Sequence, residues 1–347
     1  MSLLIILLLQ QSEKRDVKAL ILQEDKSISV REAEKPILKK GQALIRIKAA
    51  ALNHRELWIS KGLYPGMQLP CILGADGTGM VVDVYPESDH TLMDKEVIIY
   101  PAYDWGGDGN RPTRSFRVLG MPDPGTMAEY IAVPIENLVQ KPTYLSWEEA
   151  AAIPVASITA WRALVRHGRI EKGSQVLITG IGGGVAQAAM DIALAHGASV
   201  YVTSSGPQKI AAAIERGASA GVNYKDEDWH LQLKEISQGI DIVIDSSPAP
   251  NLDDYLKLLN YGARIVAYGS TGNRKTTLNI SKFFLRHIQF IGTAMGSPEE
   301  FKDLLQFMES HEIRPVIDSV FSFADALLAF DSLAKGQQIG KVVINDF

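Results

Sequence analysis

The chain has 347 residues, 46% of them hydrophobic and 22% charged, with a formal net charge of −5. At roughly 150 residues per domain this length suggests two domains, and the composition is that of an ordinary globular protein with material for real cores. No Lys/Arg cluster is dense enough to neutralise a phosphate backbone, so nucleic acid is not an expected partner, and the single cysteine, Cys71, excludes both an intramolecular disulfide and any zinc site built on two thiolates.

Leu3 to Leu9 is an apolar run with no Lys or Arg before it and no small-residue cleavage site after it. It falls far short of the roughly 20 residues that span a bilayer, so residues 1–16 read as an extension, an edge strand or an oligomer contact rather than a membrane anchor. No membrane association is expected, and the low cysteine usage fits a cytoplasmic protein.

From Val17 the pattern is that of strands. Val17–Leu22 and Ile28–Glu32 flank a polar turn, and Gln42–Ala49 alternates with period two as a half-buried strand does. Gly74–Tyr85 and Glu96–Tyr100 continue the series, and the Pro- and Gly-rich stretch 101–126 reads as a long loop. Ser146 followed by Glu149 is a capping-box signal for a helix, and a second helix is expected over Ser157–Val165.

Strands and helices then alternate. Gln175–Thr179, Ser199–Thr203, Ile240–Asp245, Ala263–Tyr268 and Ile288–Gly292 read as strands, with helices over Val185–His196 and Pro207–Arg216. That alternation predicts a doubly wound parallel sheet. Helices near Ser297–Ser310 and Ala324–Ala334 and a strand Lys341–Ile344 close the chain.

The strand Gln175–Thr179 runs into Gly180-Ile181-Gly182-Gly183-Gly184-Val185-Ala186, four glycines at a strand-to-helix junction. The register Gly180-x-x-Gly183-x-x-Ala186 suits a dinucleotide. Gly180 makes the sharp exit, Gly183 lets the backbone approach a pyrophosphate, and Ala186 allows close helix packing. Gly182, Gly184 and Val185 complete the turn, whose free N–H groups and helix dipole favour an anion. An NAD site commonly places an acid about 20 residues on; this chain has Thr203-Ser204-Ser205-Gly206-Pro207-Gln208-Lys209. Ser204, Ser205 and Lys209 suit a 2′-phosphate, which favours NADPH over NADH, although the two serines would equally cap the following helix. Tyr268 and Gly269 follow a later strand at the carboxyl edge, where open α/β sheets bind ligands.

Several segments in this order resemble the medium-chain dehydrogenase/reductase superfamily, in particular its zinc-free, quinone oxidoreductase-like branch. They are Ala50–Leu57, Gly62–Gly66, Gly74–Gly79, Gly125–Tyr130, Ala151–Trp161, the glycine turn and Val222–Tyr224. The resemblance implies an α/β protein with a GroES-like β-rich catalytic domain over 17–143 and 311–347 around a Rossmann dinucleotide-binding domain over 144–310. It places Asn53 where zinc-containing members have a ligand Cys and Ala75 where they have a ligand His, so no zinc is expected. Their four-Cys lobe would fall in 101–126, which has no Cys. It further implies that Asn53 and Thr159 lie near the nicotinamide and that Tyr64 is a candidate to contact a substrate carbonyl. Tyr224 and Lys209 match positions that hold the 2′-phosphate, Lys341 is a candidate to reach the phosphates from the tail, and a homodimer through the strand near Ile288–Gly292 is expected.

The leading expectation is therefore a zinc-independent, NADPH-dependent oxidoreductase acting on a quinone, an enone or another activated carbonyl. Two readings stay open beside it: a zinc-free alcohol dehydrogenase-like enzyme, and a non-catalytic NADPH-binding protein of the same fold.

Overall fold

The computed structural model describes residues 16–271 and 275–347. The apolar run Leu3–Leu9 lies outside the described residues. The chain forms two compact units, one holding residues up to Ala151 with Val320–Ala334 and Val343–Phe347, the other Ala152–Ser319 with Lys335–Val342.

The first unit is built from strands β1 (Asp16–Leu22), β2 (Ile28–Glu34), β3 (Gln42–Ala51), β4 (Cys71–Ile72) and β5 (Asp76–Val84). It continues with β6 (Glu96–Ile99), β7 (Ala102–Tyr103), β8 (Arg117–Val118), β9 (Tyr130–Pro134) and β10 (Leu138–Gln140). β3 is the spine, pairing antiparallel with β5 and with β9. On one face Ala43, Ile45 and Ile47 are buried with Val81, Val97, Ile99, Ile131 and Val133 in one core, but the expected alternation is only partial, since Leu44 on the other face is buried too. Each such aliphatic side chain stabilises the fold by about 1.5–3 kcal/mol when fully buried. Gly79 on β5 lies so close to the Arg46 carbonyl that a Cβ has no room.

Trp147–Ala151, expected with the second domain, belongs to the first unit. Its helix packs on β3 and β5, and Glu148 accepts a hydrogen bond from Asn345 Nδ2 at 3.0 Å. The predicted cap forms, with the Glu149 N–H on Ser146 Oγ at 3.1 Å and the Ser146 N–H on Glu149 Oε2 at 2.8 Å. The stretch 101–126 contains the short ribbon β7–β8. There Arg117 joins Asp123, at 2.5 Å, to Asp104 and lies over the Tyr103 ring.

The second unit carries β11 (Gln175–Ile178), β12 (Ser199–Ser204), β13 (Ala220–Asn223), β14 (Ile240–Asp245), β15 (Leu259–Ala267) and β16 (Gln289–Gly292). They form a six-stranded sheet in the order β13-β12-β11-β14-β15-β16, with every pair parallel. This is the Rossmann order, with the reversal beside β11. Leu177, Val243, Tyr255 and Ile265 are buried in its core. β17 (Ile317–Ser322) and β18 (Lys341–Asn345) close the chain, and β18 pairs with β3 through Val343–Asn345.

The helix expected over Ser157–Val165 instead begins at Pro154, at the first turn where a missing N–H costs nothing, and runs to Trp161. It continues as a π-helical segment Arg162–Gly168 and stops at Arg169, which is left-handed with φ 53°. No helix among the described residues is long and apolar enough to cross a membrane.

Candidate active site

The glycine turn sits in the second unit at the carboxyl end of β11, beside the strand-order reversal. Gly180 has φ +61°, a region that L side chains rarely adopt, and so makes the turn possible. The Ile181 N–H donates to the Thr203 carbonyl at 3.1 Å, tying the turn to the end of β12. Gly183 is the N-cap of a helix that starts at Gly184, one residue earlier than expected, and runs to Ala195. Ala186 is fully buried, as close packing of this helix requires.

Two lysines flank the turn. A Cβ at Gly182 would meet the Lys209 Cδ and Nζ at 2.7 Å, and a Cβ at Gly184 would meet the Lys341 Cδ at 2.7 Å. Lys209 Nζ donates to the Gly336 carbonyl at 2.9 Å, and partial burial lowers its pKa. The tail reinforces the arrangement, with the Gly340 N–H on the Gly182 carbonyl at 3.0 Å. Glycines that leave room, a helix N-terminus and two cations make a cradle suited to a pyrophosphate.

The other nucleotide candidates are arranged less uniformly. Ser204 Oγ is buried and accepts the Gly206 N–H at 3.1 Å, so it caps the chain turn, whereas Ser205 and Tyr224 are exposed. Tyr268 is half-buried with its N–H on the Asp245 carbonyl at 3.0 Å, and Gly269 packs on Ser246. Burial and Asp245 push the Tyr268 phenol well above its usual range. Val185 is half-buried in the first helical turn. Thr159 is buried and spends its hydroxyl proton on the Val155 carbonyl one turn back, at 2.7 Å.

Asp245 was not singled out from sequence. Its buried carboxylate accepts from Thr179 Oγ1 at 2.5 Å, from the Ser247 N–H at 2.7 Å and from the Tyr255 hydroxyl. It thereby fixes the residue that precedes Gly180. The only signal available was an acid ending a short strand whose core, Ile242–Ile244, is apolar.

In the first unit, Asn53 precedes the helix His54–Ser60 and its N–H donates to Glu56 Oε2 at 2.8 Å. Its side-chain Nδ2 donates to Asp76 Oδ2 at 2.9 Å. Asp76 is fully buried, and its carbonyl accepts from Thr126 Oγ1 at 2.7 Å. Tyr64 is half-buried with its ring over the Arg55 guanidinium, 5.0 Å away. Asn53 and Tyr64 thus share a neighbourhood through Arg55 and Glu56, a link that the sequence did not reveal.

Comparison with known proteins gives the family. Residues 39–143 match the model of the alcohol dehydrogenase GroES-like domain, and residues 184–310 that of the zinc-binding dehydrogenase. A zinc-type alcohol dehydrogenase-like protein, YogA, of Leptosphaeria maculans is 34% identical over 330 residues, covering 89% of this chain and 92% of that protein. The chain belongs to the medium-chain dehydrogenase/reductase superfamily. An acryloyl-coenzyme A reductase of Metallosphaera sedula is 28% identical, covering 94% of this chain and 99% of that protein. A crystal structure of an NAD-dependent alcohol dehydrogenase superposes with a TM-score of 0.89 at 32% identity, covering 94% of this chain and 99% of that one. The chain is accordingly an oxidoreductase of this superfamily, with a GroES-like and a Rossmann domain, and the family uses nicotinamide cofactors.

Many superfamily members hold zinc, so the donor set was tested for fit. Among the described residues no group of three or more His, Cys, Asp and Glu side chains could hold a metal ion. Asn53 offers a neutral amide already hydrogen-bonded to Asp76, and Ala75 offers no ligand. Cys71 is buried with its Sγ on the carbonyls of Gly120, Pro122 and Asp123, and belongs to no ligand group among the described residues. The residues do not fit a catalytic zinc.

Proposed function

We propose that this oxidoreductase transfers a hydride from NADPH to a quinone, an enone or another activated carbonyl without a metal ion. The observation that carries the reading is the Asn53–Asp76 hydrogen bond, which puts an amide where a zinc-dependent member needs a charged soft ligand. Without a Lewis acid the favoured substrates are those whose carbonyl or alkene already accepts hydride readily. In an enone, hydride adds to the alkene carbon, the π pair moves onto the carbonyl oxygen, and the resulting enolate takes a proton from water. Bound NADPH supplies the hydride and leaves as NADP+.

The chain's own residues bind and orient. The glycine turn with Lys209 and Lys341 takes the pyrophosphate, and Asp245 holds Thr179 in place. Ser205, Tyr224 and Lys209 are the groups for a 2′-phosphate, and no acid at the end of β12 opposes that charge. The name of the acryloyl-coenzyme A reductase relative supports reduction of an activated alkene. A second reading, oxidation of an alcohol with NAD, is favoured by the names of the alcohol dehydrogenase relatives.

The partner is a small molecule, with no nucleic acid or membrane, and the working compartment is the cytoplasm. The chain is proposed to form a homodimer along β16, the edge strand of its sheet, where Phe290 and nearby Tyr261, Phe284 and Leu285 are exposed. Light scattering on the purified protein checks the dimer, and a monomer would remove it. Absorbance of NADPH with 9,10-phenanthrenequinone and with an enone, in the presence of a chelator, tests the activity. Turnover of alcohols with NAD in the presence of the chelator, and of no carbonyl with NADPH, would replace the first reading with the second. Binding of NADPH without turnover of any carbonyl would leave a binding protein.

A further inference from the structure

Arg55 is a buried cation with two hydrogen-bonding groups that no described residue uses. Its side chain is 11% exposed. One arm is anchored: Nη1 donates to Glu56 Oε1 at 2.8 Å and to the Leu119 carbonyl at 2.8 Å. The other two nitrogens, Nε and Nη2, are buried and have no hydrogen-bond partner. The Tyr64 ring lies over the guanidinium at 5.0 Å, covering its face and leaving the Nε–Nη2 edge without a partner of hydrogen-bond geometry.

These two nitrogens are the adjacent pair on one edge of the guanidinium plane. Their N–H groups are parallel and spaced to meet both oxygens of one carboxylate, the bidentate geometry in which arginine is most selective. Glu56 cannot serve, because its Oε1 is on the opposite arm and its Oε2 accepts the Asn53 N–H. Buried donors left unmet are costly, and a guanidinium is costlier than a neutral group, so this edge is suited to an anionic group with two oxygens. Arg55 also stands two residues after Asn53 and touches Tyr64, the two residues of this unit proposed to face the substrate. Tyr64 is half-buried in a short turn between Gly62 and Gly66, both at positive φ.

We infer that Arg55 binds a carboxylate carried by the substrate, so that the substrate class is an enone or related activated carbonyl bearing a carboxylate group. The inference rests on the proposed reduction of activated carbonyls and narrows it. Arg55 is a specificity residue for the acid.

The test compares 3-benzoylacrylate with its methyl ester as substrates for NADPH reduction by wild type, Arg55→Met and Arg55→Lys. The ester is intrinsically the better hydride acceptor, so any preference for the acid comes from the protein. Wild type is expected to favour the acid at least about tenfold in kcat/KM, the kind of margin a site built for a polar group imposes on an analogue lacking it. Arg55→Met is expected to lose that margin through the acid alone, and Arg55→Lys to retain part of it through a point charge. Equal kcat/KM for acid and ester in wild type overturns the inference while leaving the reductase reading intact. If Arg55→Met does not fold, the wild-type ratio and Arg55→Lys still decide.

If neither compound is reduced, the reductase reading fails, and binding of acid and ester to wild type with saturating NADP+ is read by calorimetry. Binding of the acid alone, lost in Arg55→Lys or Arg55→Met, supports the carboxylate site by itself. Binding of neither, or of both equally, overturns it.

Discussion

The side-chain amide of Asn53 donates to Asp76 Oδ2 at 2.9 Å, joining the start of the helix His54–Ser60 to the first residue of β5. Asp76 is fully buried, so the bond satisfies a group that water does not reach. In the proposed metal-free reading the same amide stands where zinc-dependent members carry a ligand. One contact therefore bears on both stability and chemistry.

Asn53→Ala removes that donor from a buried carboxylate and is expected to lower stability by about 1–3 kcal/mol. Denaturant unfolding of wild type and variant measures it. Metal analysis of the wild-type protein is expected to find no stoichiometric zinc, and carbonyl reduction is expected to survive 1,10-phenanthroline. A stoichiometric metal whose removal stops turnover would sink the metal-free reading.

Gly183→Ala separates folding from cofactor binding. A Cβ there meets nothing closer than the Gly180 carbonyl at 3.6 Å, and the residue has φ −80°, which alanine adopts freely. The melting temperature is expected to stay within a degree or two, while NADPH affinity falls by at least about tenfold because the methyl group stands in the path of the pyrophosphate. Unchanged affinity would move the pyrophosphate away from this turn.

Lys209→Ala is expected to weaken NADPH binding by about 10–100-fold, the range for losing one charge-assisted bond. If the lysine serves the 2′-phosphate, NADH binding changes by less than about threefold. Equal loss for both cofactors would assign it to the pyrophosphate, beside Gly182 where the free protein holds it. The lowered pKa of Lys209 means that its charge is lost at lower pH than for a free lysine. NADPH affinity is therefore expected to decline earlier on the alkaline side in wild type than in Lys209→Arg.

Cys71 gives a pH prediction of definite sign. Burial raises its thiol to about 11 from the model-peptide value of 9.0, so the folded state holds the proton that the unfolded state releases. Stability from this group is complete below about pH 9 and declines as pH rises from there to about 11, by at most about 2–3 kcal/mol. Cys71→Ser unfolding followed across that window is expected to be flatter than wild type. Alkylation by iodoacetamide at pH 8 is expected to be slow in the native protein and complete in urea.

Much of the architecture was legible because strands announce themselves locally. Gln42–Ala49 alternates, and Val176–Ile178 and Ile242–Ile244 are short apolar runs each followed by a polar residue, and all lie in strands. β9, β13 and the helices His54–Ser60, Trp229–Ile236 and Leu252–Leu258 were not anticipated, since each is short and buries only part of one face. Trp147–Ala151 was legible as a helix from Ser146 and Glu149, yet its allegiance to β3 and β5 is a long-range contact that no local pattern encodes.

The sequence by itself determined the glycine turn and its register, since the φ of Gly180 and the helix beginning after Gly183 are consequences of residue types a few positions apart. It likewise determined the lack of thiolates, which is a matter of composition. Only the tertiary structure decided what surrounds them. Asp245 reaching Thr179 across 66 residues, Lys209 reaching Gly336 across 127, and Arg55 held by Leu119 across 64 all depend on packing that brings distant chain together. Hydrogen bonds and ion pairs act over a few ångströms of space and are indifferent to separation along the chain, so the chemistry of such groups becomes readable only once the fold has placed them.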